Sequence, residues 1–426
     1  MSVKLYLDNL TVEQRENIYN DLVVIVGNAV EYGGQERIVY PYLLTDKELI
    51  LPHNYASTVL KQNRPPREQY GSTNNDFICE LREKQIVVKK EAMSIMGKNG
   101  SVLISAHTGF GKTATAISIY SSCKLKTLVI AHRIVLINQW KDSFEKFCPS
   151  AKVSILKPDK ADKNDGSDVW IVNAENVPKF PDNFFDKIGL VIADEVHALM
   201  AENLSRSLTR VFPRYLLGLS ATPYREDGLN KLLDIYFGTQ KIIREMKREH
   251  IVYKINTGFS APMEKSKTGR LNWNAVLDWQ SKHIERNQLI VDIVCYFATK
   301  KFLILVKRIE HGNILLNLLK EKGIEATSML GTQKKFDKDA RVLIGTTNKL
   351  GVGFDHPNLD ALCLATDVEG YFIQYLGRVF RREDVVPIIL DFVDKNPILE
   401  KHFETRVEVY EKSGGKIKNF NKKLLI

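Results

Sequence analysis

The sequence predicts an α/β protein made of two successive parallel sheets with helices on both faces, preceded by a small N-terminal accessory domain. Two observations carry that expectation. Short apolar runs alternate with helix-length polar-apolar segments, the pattern of strands joined by crossover helices. The alternation occurs twice, over about residues 78–243 and again over about 284–412, in a chain of 426 residues that is too long for one compact core.

Residues 1–77 begin as a polar, helix-like segment, break at Gly33-Gly34, and continue as YPYLLTDKELILPHNYAS, which suggests short strands around Pro41 and Pro52. The following KQNRPPREQYGSTNND, with Pro65-Pro66, reads as a linker. In the second block, strands are expected at 102–105, 127–131, 170–173, 190–193 and 216–220; in the third, at 302–306, 342–344, 361–365 and 388–391. Between these blocks, residues 244–283 carry Lys265, Lys267 and Arg270 near Trp273 and Trp279. Such a mixture either grips a nucleic-acid strand by charge and stacking or forms a solvated connection whose tryptophans pack locally. The tail, 413–426, is basic through Lys416, Lys418, Lys422 and Lys423, and reads equally well as a disordered, solubilising end.

Composition narrows the class. The chain is 44% apolar and 26% charged, ordinary for a globular protein. No apolar stretch reaches the roughly 18 uncharged residues of a membrane span, and MSVKLYLDNLTVEQRE lacks the character of a secretory signal, so a cytoplasmic protein without membrane partners is expected. The five cysteines, Cys79, Cys123, Cys148, Cys295 and Cys363, are scattered and form no CxxC pair. That argues against a zinc site or a disulfide framework and fits a reducing compartment. A net charge of +10 and a pI near 9.1 point to a polyanionic partner once basic residues fall at suitable places.

The most informative residues are two segments in a fixed order. AHTGFGKT, Ala106 to Thr113, follows the buried-strand run Val102-Leu103-Ile104, the strand–turn–helix context of a phosphate loop. Around Thr108 and Phe110, Gly109 and Gly111 allow backbone amides to close on phosphates, Lys112 reaches the β- and γ-phosphates, and the Thr113 hydroxyl is a Mg²⁺ ligand. Ala106 stands where the generic pattern has its first Gly. Downstream, Leu190-Val191-Ile192-Ala193 supplies a second buried strand, and Asp194-Glu195-Val196-His197 follows at its carboxyl end, where open α/β sheets place ligands. Asp194 is the expected Mg²⁺ holder and Glu195 the base that orients or deprotonates water; taken alone, the pair reads equally as an acidic surface turn. ATP and Mg²⁺ are the implied cofactors.

Together these motifs resemble superfamily two helicases over about residues 78–412. That resemblance implies two tandem RecA-like domains. It implies further that Arg82 and Gln85, in Leu81-Arg82-Glu83-Lys84-Gln85, contact the adenine nucleotide. His132-Arg133, ending VIAHR, resembles the first strand-contacting motif, and Ser220-Ala221-Thr222 resembles the motif that, with His197, couples ATP state to nucleic-acid grip. GTTNKLGVGFD resembles the fifth motif, with Thr347 towards a nucleic-acid phosphate and Gly353 and Asp355 towards the nucleotide. QYLGRVFR resembles the sixth, and Gln374, Gly377, Arg378 and Arg381 recur at helical spacing, so that their side chains can share one face. Arg378 and Arg381 would then be arginine fingers supplied by the second fold, with Gln374 beside them.

Arg225-Glu226-Asp227 resembles the RED element of XPB-type DNA helicases, which implies that Arg225 lies against nucleic acid. TGFGKT, ERNQLI, RIEH, GFDHPNLD and QYLGRVFR are most similar to the transcript-release DNA helicases of poxviruses and other large DNA viruses, and to phage branch-migration helicases. LILPHNYAS resembles a short element ahead of the poxviral motor. The segment around Asn173 departs from the family in lacking a Thr. These resemblances imply an ATP-dependent DNA helicase or translocase of three-prime to five-prime polarity, a monomeric motor with DNA, RNA or a transcription or replication complex as partner. An RNA helicase, an ATP-switched clamp with little unwinding, and the motor of a restriction-type complex are the alternatives; no nuclease motif is present for the last.

Overall fold

The computed structural model describes residues 2–425 except 27–36, 200–206, 222–229, 266–270, 334, 352–355, 357, 369–371 and 383; for 26, 37, 198–199, 351 and 373–374 it describes the backbone alone. The chain divides into two compact units, Met1–Arg244 and Glu245–Ile426.

In the first unit, β1 (Ser2–Tyr6), β2 (Val24–Val26), β3 (Arg37–Val39), β4 (Leu43–Leu44) and β5 (Glu48–Pro52) precede the main sheet. β1, β5 and β4 form a small antiparallel sheet, and β2 pairs with β3. This accessory segment is not separately packed: Ile18, Leu22, Leu49, Leu51 and Tyr55 share a buried cluster with Leu103, Leu128 and Leu216 of the main sheet. The Ser2 amide donates to the Val211 carbonyl at 3.0 Å. Its division from 78–243 by sequence therefore does not correspond to a division of the core. A short antiparallel sheet buries too little apolar surface to stand alone.

The main sheet is made from β6 (Ser101–Ala106), β7 (Thr127–Ala131), β8 (Val153–Ile155), β9 (Val169–Asn173), β10 (Leu190–Ala193), β11 (Tyr215–Ser220) and β12 (Lys241–Arg244). Its order is β12-β6-β11-β10-β7-β9-β8, and its pairs are parallel. β6, β7, β10 and all of β11 but Tyr215 are buried along their length, because helices cover both faces of such a sheet. β11 lies between β6 and β10, so three motif-bearing strands end side by side.

The second unit repeats the plan with β13 (His250–Ser260), β14 (Phe302–Val306), β15 (Ala326–Met329), β16 (Val342–Thr346), β17 (Ala361–Leu364), β18 (Ile388–Lys395) and β19 (Gly415–Asn419), in the parallel order β15-β16-β14-β17-β18-β13-β19. Phe302, Ile304 and Val306 enter one hydrophobic cluster and Leu303 and Leu305 the other. The two-residue period of a strand thus feeds two cores.

Two expectations change here. The stretch 244–283, read as a connection, supplies β13, which pairs with both β18 and β19, and the helix Trp273–Lys282. Trp273 and Trp279 pack locally around Ala261, Val276 and Leu399, and Trp273 stacks on His402 at 5.3 Å. The tail, for which a disordered, solubilising end is an equal reading of the sequence, holds β19 at the sheet edge. Its Lys416 and Lys418 hid it, because an edge strand needs little apolar character and lysines there discourage further pairing.

Among the described residues, no helix is long and apolar enough to cross a membrane. All five cysteines are free.

Candidate ATP site and coupling network

The phosphate loop leaves the buried end of β6 and turns into the helix Lys112–Cys123. The turn requires left-handed backbone, φ +86° at Gly109 and +90° at Gly111, which glycine adopts without a Cβ clash. Lys112 Nζ donates to the Ala106 carbonyl at 2.7 Å, so the ammonium is held over the loop. Thr113 follows in the first helical turn, where backbone amides and the helix dipole favour anions. Thr108 is half-buried, and Phe110 is buried with His107 edge-on at 5.8 Å.

Arg82 and Gln85 brace this loop. Gln85 Nε2 donates to the carbonyls of Phe110 at 3.1 Å and Gly111 at 3.3 Å. Arg82 Nη2 donates to Phe110 O, and to Gly109 O at 3.2 Å. Gln85 Oε1 in turn accepts the Arg82 backbone amide at 2.8 Å, closing the start of the helix Glu83–Asn99. A Cβ on Gly111 would meet Gln85 Nε2 at 2.2 Å in addition to the left-handed strain. Gly111→Ala is therefore expected to weaken binding of a fluorescent ATP analogue by at least about tenfold, since the backbone cost alone is about 1–2 kcal/mol. Wild-type affinity in that variant would show that the loop does not need this geometry.

The acidic pair ends β10. Asp194 is buried, and its carboxylate accepts the Trp140 indole N–H at Oδ2, 2.8 Å, and the Glu195 amide at Oδ1, 3.0 Å. Burial, followed by the neighbouring Glu195 charge, pushes the Asp194 carboxyl well above the ordinary range, and the Trp140 hydrogen bond and then Lys112 partly oppose this. Such a site favours a cation. Oxygen donors such as the Asp194 carboxylate and Thr113 hydroxyl suit Mg²⁺, which needs only one or two protein ligands when phosphates supply others. Among the described residues no group of three or more His, Cys, Asp or Glu side chains could hold a metal.

Glu195 has φ +48°, an unusual conformation for a residue with a Cβ and typical of functional turns. His197 Nδ1 lies 3.3 Å from Glu195 Oε2 and 3.2 Å from Ser220 Oγ. Ser220 is fully buried at the end of the intervening strand β11. A contact path therefore runs from the acidic pair through His197 to the Ser-Ala-Thr segment. His132, at the end of β7, is pushed down to about 4 by burial, then by Arg133 and His197, and is neutral at physiological pH. Arg133 is exposed.

In the second unit, Thr347 begins a short helix at the end of β16, and its carbonyl accepts the Tyr375 hydroxyl at 2.7 Å. Arg378 is buried on the helix Ile373–Val379. Arg381 lies beyond that helix, so the shared helical face expected from the spacing does not extend to it. Phe380, packed on His250 at 4.7 Å, marks the stop. Burial lowers the Arg381 guanidinium below its usual value. Thr222, Arg225, Glu226, Asp227, Lys267, Arg270, Gly353 and Asp355 lie outside the described residues, as does the side chain of Gln374. Trp140, which bonds the Asp194 carboxylate, is a residue that motif reading does not single out. Its signal was weak, merely that a buried tryptophan needs an acceptor for its N–H.

Residues 78–225 match the family described as "Type III restriction enzyme, res subunit". The chain is 39% identical to "Putative helicase 161L" of Invertebrate iridescent virus 6, over 99% of its own length and 100% of that protein. It belongs to the superfamily two helicases. This helicase is also 33% identical to "Putative helicase 055L" of Frog virus 3, over 86% of its own length and 85% of the relative. Its fold is similar to S. cerevisiae Dbp5 bound to RNA and ADP BeF3, with a TM-score of 0.55, 15% identity, and coverage of 80% of this chain and 96% of that one. The two parallel sheets are the tandem RecA-like folds of that superfamily.

Proposed function

We propose that this helicase is an ATP-driven motor that moves three-prime to five-prime along one strand of DNA and separates or remodels duplexes or transcription intermediates. The observation that supports it best is the contact path from the acidic pair through His197 to Ser220, at 3.3 and 3.2 Å. It gives a change at the nucleotide a direct route to the segment that, by resemblance, couples ATP state to grip.

In this reading the loop amides and Lys112 hold the phosphates, while Arg82 and Gln85 stiffen the loop and face the adenine nucleotide. Glu195 orients the attacking water and accepts its proton at a carboxylate oxygen. Arg378 and Arg381 offset charge developing on the transferred phosphoryl group, with Gln374 beside them and Gly353 and Asp355 towards the nucleotide. Thr113 and Asp194 would hold Mg²⁺, which would supply charge neutralisation at the triphosphate. Positioning and charge neutralisation supply nearly all of the catalysis in phosphoryl transfer.

His132, Arg133, Arg225 and Thr347 contact the strand backbone, because a motor cannot depend on base identity. Net movement requires that the states before and after hydrolysis grip the strand with different affinity. DNA is preferred on the resemblance of Arg225-Glu226-Asp227 to the RED element; the likeness in fold to an RNA-bound protein favours RNA as the second reading. Steady-state ATPase assays with single-stranded DNA, duplex DNA and RNA, followed by strand displacement, separate the two. Single-stranded DNA is expected to stimulate hydrolysis by at least about tenfold, within the range common for coupled sites. Stronger stimulation by RNA would replace the DNA assignment, and no stimulation by either would remove the motor.

A further inference from the structure

Trp140 belongs to none of the helicase motifs quoted above, yet it holds the carboxylate of one. It is 1% exposed, on the helix Ile134–Phe147, and its indole N–H donates to Asp194 Oδ2 at 2.8 Å. The Glu195 amide donates to the other oxygen at 3.0 Å. A carboxylate at a strand end rotates easily about its last bond, since that torsion is broad. Two donors on different oxygens, one from a helix and one from the strand's own continuation, select one orientation.

The indole itself is fixed. It packs on Phe144 at 6.1 Å, and Phe144 packs edge-on against Tyr120 at 5.4 Å, on the helix that begins with Lys112. The Trp140 helix begins directly after the exposed Arg133. Trp140 lies seven positions after Arg133, a rise of about 10 Å along one rigid helix. A single element therefore joins the strand-contacting end to the carboxylate.

We propose that Trp140 is a positioning residue. Its indole N–H sets the orientation in which Asp194 meets the cation and phosphates, and ties that orientation to the helix headed by Arg133. This rests on the reading of Asp194 given above. A purely structural tryptophan would lower stability when replaced and leave the demand for Mg²⁺ unchanged.

The test compares full-length Trp140→Phe and Asp194→Asn with the unsubstituted helicase. The Mg²⁺ concentration for half-maximal binding of a fluorescent ATP analogue is the first readout. Trp140→Phe, which keeps an aromatic ring and loses the N–H, is expected to raise it by about tenfold or more, as loss of partners behind a metal ligand commonly does. At saturating Mg²⁺ its kcat should fall with little change in KM for ATP. Unchanged Mg²⁺ demand in Trp140→Phe, with raised demand in Asp194→Asn, would overturn the positioning role alone. Unchanged demand in both would overturn the assignment of Asp194 as well.

The second readout needs no folded Trp140 variant. Among the indole N–H resonances of the four tryptophans, the one displaced by Asp194→Asn belongs to Trp140. In the unsubstituted helicase it should shift when Mg²⁺ and ADP are added. A resonance that stays in place would show that this hydrogen bond does not sense the site.

Discussion

Lys112→Ala and Glu195→Gln are each expected to lower ATP turnover by about a thousandfold or more, the scale on which groups that stabilise charge or orient the nucleophile contribute to phosphoryl transfer. They should part at the binding step. Lys112 sits on the loop, its ammonium 2.7 Å from the Ala106 carbonyl, where it can move onto a phosphate without leaving the β6 turn. Removing it takes a full positive charge from the phosphate cradle, so ATP affinity should fall together with turnover. Glu195 lies across the site at the end of β10, beside His197 at 3.3 Å. Gln keeps the size and the hydrogen-bonding oxygen, and loses the proton acceptor. ATP should therefore remain bound while hydrolysis stops. Equilibrium binding of a fluorescent ATP analogue beside single-turnover hydrolysis reads both quantities. Near-normal hydrolysis in Glu195→Gln would remove Glu195 as the base.

Arg378→Ala and Arg381→Ala should show a comparable loss of turnover with a different signature. Arginine fingers contribute about a thousandfold or more to related reactions, and they act chiefly at the transition state. Both arginines belong to the second unit, whereas the phosphate loop belongs to the first. ATP binding should therefore be nearly unchanged while hydrolysis falls by orders of magnitude. The two variants should also differ in stability. Arg378 is 6% exposed within a helix, so its truncation leaves a cavity; Arg381 lies beyond the helix end and should be tolerated better. Thermal melts of each variant, taken beside ATP dissociation constants, check this. If either truncation mainly weakened ATP binding, the finger assignment would fail.

The strands that carry the motifs were legible in the sequence because they are central in parallel sheets. Val102–Ser105, Thr127–Ala131, Leu190–Ala193 and Phe302–Val306 read as continuous apolar runs since helices cover both faces, and the observed strands coincide with them or extend them by a residue at each end. β8, β12, β15 and β19 escaped notice for the converse reason. They lie at sheet edges, where one side meets solvent and polar residues are tolerated. β13 escaped because its burial alternates along an 11-residue strand and leaves no apolar run.

The candidate site divides along a similar line. The loop and the acidic pair were legible because phosphate binding demands particular residue types at short spacing, and local chain geometry brings Gly109, Gly111 and Lys112 together. By itself, the sequence thus determined the class of fold, the helicase family and the residues proposed to meet a triphosphate. Only the tertiary structure decided which distant side chains support that chemistry. Gln85 reaches the carbonyls of Phe110 and Gly111 across 25 and 26 residues, and Trp140 reaches Asp194 across 54. His197 meets Ser220 across 23 residues because β11 lies beside β10 in the sheet. Contacts of this kind depend on strand order and helix packing, which follow from burying whole apolar faces and leave no short-range pattern along the chain.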